Sequence, residues 1–221
     1  MGTLVRFNIA HCGCDVFIET GTGKGDSLNH AYINGNFDIL YSIEIFKDTA
    51  KRASERFKKK KQIVIFNAKS TDGLKKVLNE IESKKKLLVF LDAHFPGETE
   101  MNFDLSSREN QSYLPLREEL KILSQYQNIE NCIIIVDDLR LYEDIPNERK
   151  NMGDTFKTLN RKHRDLSYID SFFPNSSINR YYFDEGYLVI KPKDSSFKLT
   201  KLGILGKFKL FIHKKLERIS K

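Results

Sequence analysis

Short, nearly unbroken apolar runs recur along the first two thirds of the chain. They are DVFIE (Asp15 to Glu19), DILYSIE (Asp38 to Glu44), IVIFN (Ile63 to Asn67), LLVFLD (Leu87 to Asp92) and CIIIVDD (Cys132 to Asp138). A run without polar alternation is apolar on both faces, as strands are in a parallel sheet covered on both sides. Between the runs lie longer segments with apolar residues at helical spacing. Lys47 to Lys60 carries Ala50, Ala53 and Phe57, and Thr71 to Ser83 carries Leu74, Val77, Leu78 and Ile81 with Ser70 as its N-cap. Pro115 to Tyr126 carries Leu116, Leu120 and Leu123, and Pro115 suits a first helical turn. Strand and helix in alternation predict an α/β fold, a doubly wound sheet with right-handed crossovers. Ligands belong at the carboxyl ends of its strands, at the topological switch point.

The pattern changes towards the end. LSYID (Leu166 to Asp170) and GYLVIKPK (Gly186 to Lys193) both read as strands, and no amphipathic helix fits in the polar stretch between them. Two strands without a crossover helix predict an antiparallel pair. Glu98 to Ser112 is polar and irregular and reads as a loop over the site.

Composition narrows the class. The 221 residues are 40% hydrophobic, enough for one compact domain, taken as residues 1–195, plus an appendage, 196–221. No apolar run is long enough to span a bilayer, and the first residues, MGTLVRFNIAHCGC, lack the pattern of a secretory signal. Three cysteines, an odd number, argue against a disulfide framework and for a reducing cytoplasm. The formal charge of +7 is uneven: Ser196 to Lys221 holds eight basic residues against one Glu, and the rest of the chain is balanced. A neutral body with a basic tail argues against a nucleic-acid cleft and for a tail with its own partner.

FIETGTGKGDS, Phe17 to Ser27, is the first candidate for chemistry. Gly21, Gly23 and Gly25 allow a sharp turn and a close backbone approach to a ligand, and the following helix offers free N–H groups to an anion. A phosphate-binding P-loop is excluded, because Ile18 and Gly25 stand where that motif needs Gly and Ser or Thr. A dinucleotide site is closer, since Glu44 lies about 20 residues on and could hold ribose hydroxyls. Its third glycine is missing, however, for Asp26 takes that place. Glu19 at the end of the first strand also suits a positively charged group far better than a pyrophosphate.

Six motifs in order, ETGTGKGD (Glu19 to Asp26), SIE (Ser42 to Glu44), NAKS (Asn67 to Ser70), LDAH (Leu91 to His94), PLREEL (Pro115 to Leu120) and VDD (Val136 to Asp138), resemble a family of class I S-adenosylmethionine (AdoMet) dependent methyltransferases. Several members of that family lie among genes for surface glycans and secondary metabolites. The chain is also similar, more distantly, to magnesium-dependent sugar O-methyltransferases. The resemblance spans about Asp15 to Leu141. It implies a Rossmann-like, mostly parallel sheet with a terminal antiparallel pair, and methyl transfer to a hydroxyl of a sugar, glycan or other small molecule. Glu19, Gly21, Thr22 and Gly23 would then meet the methionine part of AdoMet, and Glu44 its ribose. Ala68 and Lys69 replace the Gly and Asp of the adenine element, so Ser70 or backbone groups would serve there. The rival readings are a dinucleotide-dependent oxidoreductase and a binding module without catalysis.

A second cluster joins Asp92, His94, Asp137 and Asp138 at neighbouring strand ends. Three carboxylates at one rim are costly to hold together without a cation, and oxygen ligands favour magnesium, calcium or manganese. In the magnesium-dependent relatives the acids at these strand ends bind the metal. Alternatively Asp92 touches AdoMet, while Asp137 and Asp138 cap a helix or pair with Arg140. His94 shares a side with Asp92 in an extended segment and could take the acceptor proton. His11-Cys12-Gly13-Cys14 is too crowded for a tetrahedral zinc site. In the tail, Leu205, Phe208, Ile212, Leu216 and Ile219 fall on one helical face among seven basic residues. Such a helix suits an anionic membrane surface, or a second subunit, or its own domain.

Overall fold

The structure, a computed structural model, describes residues 3–93, 114–143 and 165–219. Its strands are β1 (Val16–Thr20), β2 (Ile39–Glu44), β3 (Ile63–Asn67), β4 (Leu87–Leu91), β5 (Ile133–Val136), β6 (Ser176–Tyr181) and β7 (Tyr187–Pro192). Among the described residues they form one sheet in the order β3-β2-β1-β4-β5-β7-β6. The first five run parallel, and β7 is antiparallel to both β5 and β6. The helices are α1 (Asp26–Asn34), α2 (Lys47–Phe57), α3 (Ser70–Glu80), α4 (Leu116–Ser124), the single turn α5 (Ile169–Phe172) and α6 (Ile204–Ile219). The order of strands reverses at β1, which pairs with β2 on one side and β4 on the other, so the switch point lies at the end of β1.

Strand side chains alternate between two cores. Val16, Ile18, Ile43, Val89, Leu91 and Ile134 pack on one face with Leu74 and Val77 of α3 and Leu120 and Leu123 of α4. Phe17, Leu40, Leu88, Phe90 and Ile135 pack on the other with Leu28 of α1 and Phe57 of α2. Phe7 of the N-terminal segment and Phe197 and Leu199 from beyond β7 complete that second core. The two segments are tied by a bridge between Phe7 and Lys201 and by the amide of Leu202 donating to the Arg6 carbonyl at 2.6 Å. Phe197, Leu199 and Leu202 are thus core residues, and the tail leaves the body at Gly203.

The five parallel strands lie where the apolar runs predict them. The antiparallel pair is also present, but its first member is not LSYID. Leu166, Tyr168 and Ile169 are buried in a turn leading into α5, and the strand is the polar SSINRY of β6. β6 is an edge strand, half-exposed along most of its length and ordered by its ladder to β7 rather than by burial, so hydrophobic pattern does not reveal it. Helix ends shift by up to three residues. Lys69 is the N-cap of α3 and Ser70 its first helical residue, with no side-chain cap bond, and Ile81 lies past the end. Glu98 to Ser112 falls outside the described residues.

α3 approaches β2 closely at Gly73. A Cβ there would lie 2.5 Å from Cγ2 of Ile43. Gly73→Ala is therefore expected to destabilise the fold by about 1–3 kcal/mol through overpacking, even though alanine is the better helix former by about 1 kcal/mol. Adding Ile43→Val should recover part of that loss in chemical denaturation, whereas simple helix propensity predicts a gain for the single variant.

Candidate functional site

The glycine turn is held at the switch point by backbone contacts. Gly21 has φ of 83° and donates to the Ile43 carbonyl at 2.9 Å. A Cβ on Gly21 would lie 2.4 Å from the backbone oxygen of Asp92, so only glycine fits between the ends of β2 and β4. Gly25, also left-handed, is the N-cap of α1 and packs against the Phe57 ring. Gly23 lies between them with open space above it. The first turn of α1 directs its leading N–H groups to the same side, where a carboxylate would be favoured.

Two acids flank this turn. Glu19 on β1 is buried, and the Ser42 hydroxyl donates to its carboxylate at 2.7 Å. With that proton committed, Thr22 donates to Ser42 at 2.5 Å, giving a relay from the turn through β2 to Glu19. Burial pushes the Glu19 carboxyl up to about 8; the Ser42 bond pulls against this, and the nearby Glu44 charge adds to it. Glu44 at the end of β2 accepts the Gly23 amide at 3.0 Å and the Phe46 amide at 2.9 Å. One carboxylate thereby fixes both the glycine turn and the loop after β2, and it keeps lone pairs for further donors. Asn67 secures that loop from β3 by donating to the Glu44 and Ile45 carbonyls. Ser70 begins α3 half-buried beyond β3. Ser42 is the residue that sequence reasoning missed here: SIE is read for its acid, while its serine makes the bond to Glu19.

The second group forms across β4 and β5. One carboxylate oxygen from each of Asp92, Asp137 and Asp138 lies within 4.8 Å of the others. Among the described residues this is the only such grouping of potential metal ligands, and His11, Cys12 and Cys14 do not form one. Asp137 donates its amide to the Leu91 carbonyl, which carries the ladder past the strand ends. Asp138 follows with φ of 50°, a left-handed conformation rare without glycine, stabilised where its amide donates to the Asp137 carboxylate at 2.8 Å. The pairing of Asp138 with Arg140, the alternative to a metal in the sequence reading, is present at 2.8 Å.

A fourth acid stands close by. Burial holds the Tyr142 phenol well above its ordinary value, and Glu119, Tyr168, Asp138 and Asp92 all act on it in the same direction. Glu119 of α4 is 2% exposed. It is buried in α4 together with Leu116, Leu120 and Leu123, and the sequence reading of PLREEL does not single it out. Several mostly buried carboxylates beside Arg140 suit a hard divalent cation. His94 lies outside the described residues.

No protein-family model matches the sequence, and no curated protein matches it. Solved structures do resemble it. The SAH-bound methyltransferase PaMTH1 of Podospora anserina matches with a TM-score of 0.50 and 16% identity, over 81% of this chain and 72% of that one. An O-methyltransferase from Bacillus cereus in complex with SAH matches with a TM-score of 0.52 and 14% identity, over 83% of this chain and 76% of that one. At such identities the likeness concerns architecture, and the chain has the class I methyltransferase fold, with its mostly parallel seven-stranded sheet and terminal antiparallel pair.

Proposed function

We propose that the protein is an AdoMet-dependent methyltransferase acting on a hydroxyl of a sugar, glycan or other small molecule. The observation that carries this reading is the pair Glu19 and Glu44, set on adjacent strand ends on either side of the glycine turn at the switch point. A pyrophosphate would meet two acids there. A ligand with a carboxylate, an ammonium, a sulfonium and ribose hydroxyls instead finds a matching group for each. The carboxylate faces the first turn of α1. The positive groups face Glu19, whose raised carboxyl is ready to ionise against a cation. The ribose hydroxyls face Glu44, with Thr22 beside the methionine part and Ser70 towards the adenine. When bound, AdoMet supplies an activated methyl group on its sulfonium; the protein supplies orientation, a dry cavity and a proton acceptor.

The geometry of Asp92, Asp137 and Asp138 supports a magnesium ion held by these three carboxylates. Such an ion would supply a Lewis acid for the acceptor oxygen. Asp92 belongs to both halves of the site, because its backbone lies against Gly21 while its carboxylate belongs to the acid group. His94, two residues further on, is the proposed base for the hydroxyl proton. The choice of acceptor rests on the likeness to sugar O-methyltransferases, and a screen of metabolite extracts with labelled AdoMet would identify it.

Calorimetry is expected to show binding of AdoMet and none of NAD. Glu44→Ala should weaken AdoMet binding by about 1.5–3 kcal/mol, the range for hydrogen bonds to a charged acceptor. An unchanged affinity in that variant would remove the site.

Glu19 makes AdoMet affinity depend on pH. Below about 8 the free protein carries a proton on this carboxyl, which a docking cation must displace. Affinity should therefore rise with pH and level off above about 8, and Glu19→Gln should abolish the slope. The same group acts on stability of the ligand-free protein. Its contribution is full below the ordinary carboxyl value of 4.5 and is lost as pH rises through about 8. Above that pH, Glu19→Gln is expected to be more stable than the parent by about 2–4 kcal/mol. A parent and variant of equal stability at pH 9 would show that the carboxyl is not perturbed.

Transfer should stop on exhaustive EDTA treatment and return with magnesium. Asp137→Asn should weaken manganese binding measured by electron paramagnetic resonance. Full activity in EDTA would leave the three acids a polar role without a metal.

A further inference from the structure

We propose that α6 is a docking surface for an anionic lipid bilayer, lying in the plane of the headgroups with its apolar face inserted. The amphipathic pattern alone leaves three partners open, because a terminal helix commonly turns its apolar face inward. Here that face points outward. α6 rests on α1 through a narrow strip: Gly206 beside Leu202 and Asn34, half-buried Leu210, the His213 ring edge-on to Tyr32 at 6.1 Å, and Lys214 at 3.9 Å from Asp26. Ile204, Leu205, Phe208, Phe211, Ile212 and Leu216 are 40–86% exposed. At 3.6 residues per turn they share an arc of roughly 140° directed away from the domain. Nine large hydrophobic residues are exposed among the described residues, and these six account for most of them. Among the described residues the exposed large hydrophobic side chains are therefore concentrated on one helix.

The charges decide between the remaining partners. Lys209 borders the arc on one side, Lys207 and Lys214 on the other, and exposed Lys215 lies within it. The basic surface continues beyond the helix. Lys60, at the end of α2, lies 4.4 Å over the same Tyr32 ring that His213 meets, and exposed Lys58, Lys59 and Lys61 adjoin it. A second copy docked through a two-fold axis would bring these lysines against themselves. A bilayer bearing anionic headgroups offers apolar depth for the arc and negative charge for its flanks. The proposed contact is peripheral, and among the described residues no helix is long and apolar enough to cross a membrane.

The contact also has a direction. The helix begins near Asn34, at the far end of α1, and reaches Asp26 at the start of α1. It thus runs up to the rim that carries the glycine turn, and a bilayer under α6 lies alongside the mouth of the site.

The test uses the intact protein with vesicles of phosphatidylcholine alone, or of phosphatidylcholine mixed with phosphatidylglycerol, at low and high salt. The protein should sediment with the anionic vesicles, and high salt should release it. Joint replacement Lys207→Gln, Lys209→Gln and Lys215→Gln should weaken partition roughly a hundredfold, at about fivefold per charge. Phe208→Ser with Phe211→Ser should abolish it. Both variants change exposed side chains only, so melting temperature and AdoMet affinity should match the parent. Light scattering is run on the same samples. A dimer that the phenylalanine variant dissolves, without vesicle binding, would assign the face to a second copy. Absence of vesicle binding by a monomer, or binding indifferent to both sets of substitutions, would also overturn the proposal. These outcomes are independent of whether AdoMet binds.

Discussion

The arrangement depends on the contact between Gly21 and the backbone of Asp92. At the end of β1 the chain must turn between two neighbours that continue past it, and no space remains there for a side chain. That contact sets the glycine turn against the end of β4. Glu44 then closes the turn from the β2 side through the Gly23 amide. The two halves of the site, the turn with its flanking acids and the carboxylates of β4 and β5, are therefore built on one junction. A shift of β4 would move both together.

The site is rich in buried acids, and its two halves handle them differently. Glu19 is deep, with a neutral hydroxyl as its hydrogen-bond partner, so its burial is met by holding a proton. Asp138 pairs with Arg140 and the Asp137 carboxylate accepts the Asp138 amide, so their burial is met in part by fixed positive charge and a backbone dipole. Each solution leaves a demand that a positively charged ligand can meet. Under the proposed function an organic cation would meet the first by displacing a proton, and a hard metal ion would meet the second. Both halves share Asp92.

What the sequence reveals follows from what each residue depends on. The parallel strands are legible because burial on both faces forces apolar letters at every position. Gly21, Glu19 and Glu44 are legible because a turn without side-chain space and an acid at a strand end leave few alternatives. β6 is hidden because an edge strand owes its order to hydrogen bonds with β7, and backbone bonds leave no trace in composition. Ser42 and Glu119 are hidden for another reason. Each is an ordinary polar residue whose importance lies in what the fold sets opposite it, Glu19 in one case and Tyr142 in the other. The outward aspect of α6 is hidden as well, since periodicity defines an apolar face but not the side on which the domain lies.

The bridge between Phe7 and Lys201 has a consequence for assembly. It joins segments separated by almost the whole described chain, and the core that it seals contains Phe7, Phe197 and Leu199 together with strands from the middle of the sheet. Contacts of such long sequence separation form late, after loop closure has been met by the local β-α units. During synthesis the face of the sheet that carries α1 stays incompletely covered until residues 197–202 have left the ribosome. Only then does Gly203 emerge and α6 find the surface of α1 on which it rests. The order of the chain thus brings out Phe208 and Phe211 after the described segments of the core that could have captured them.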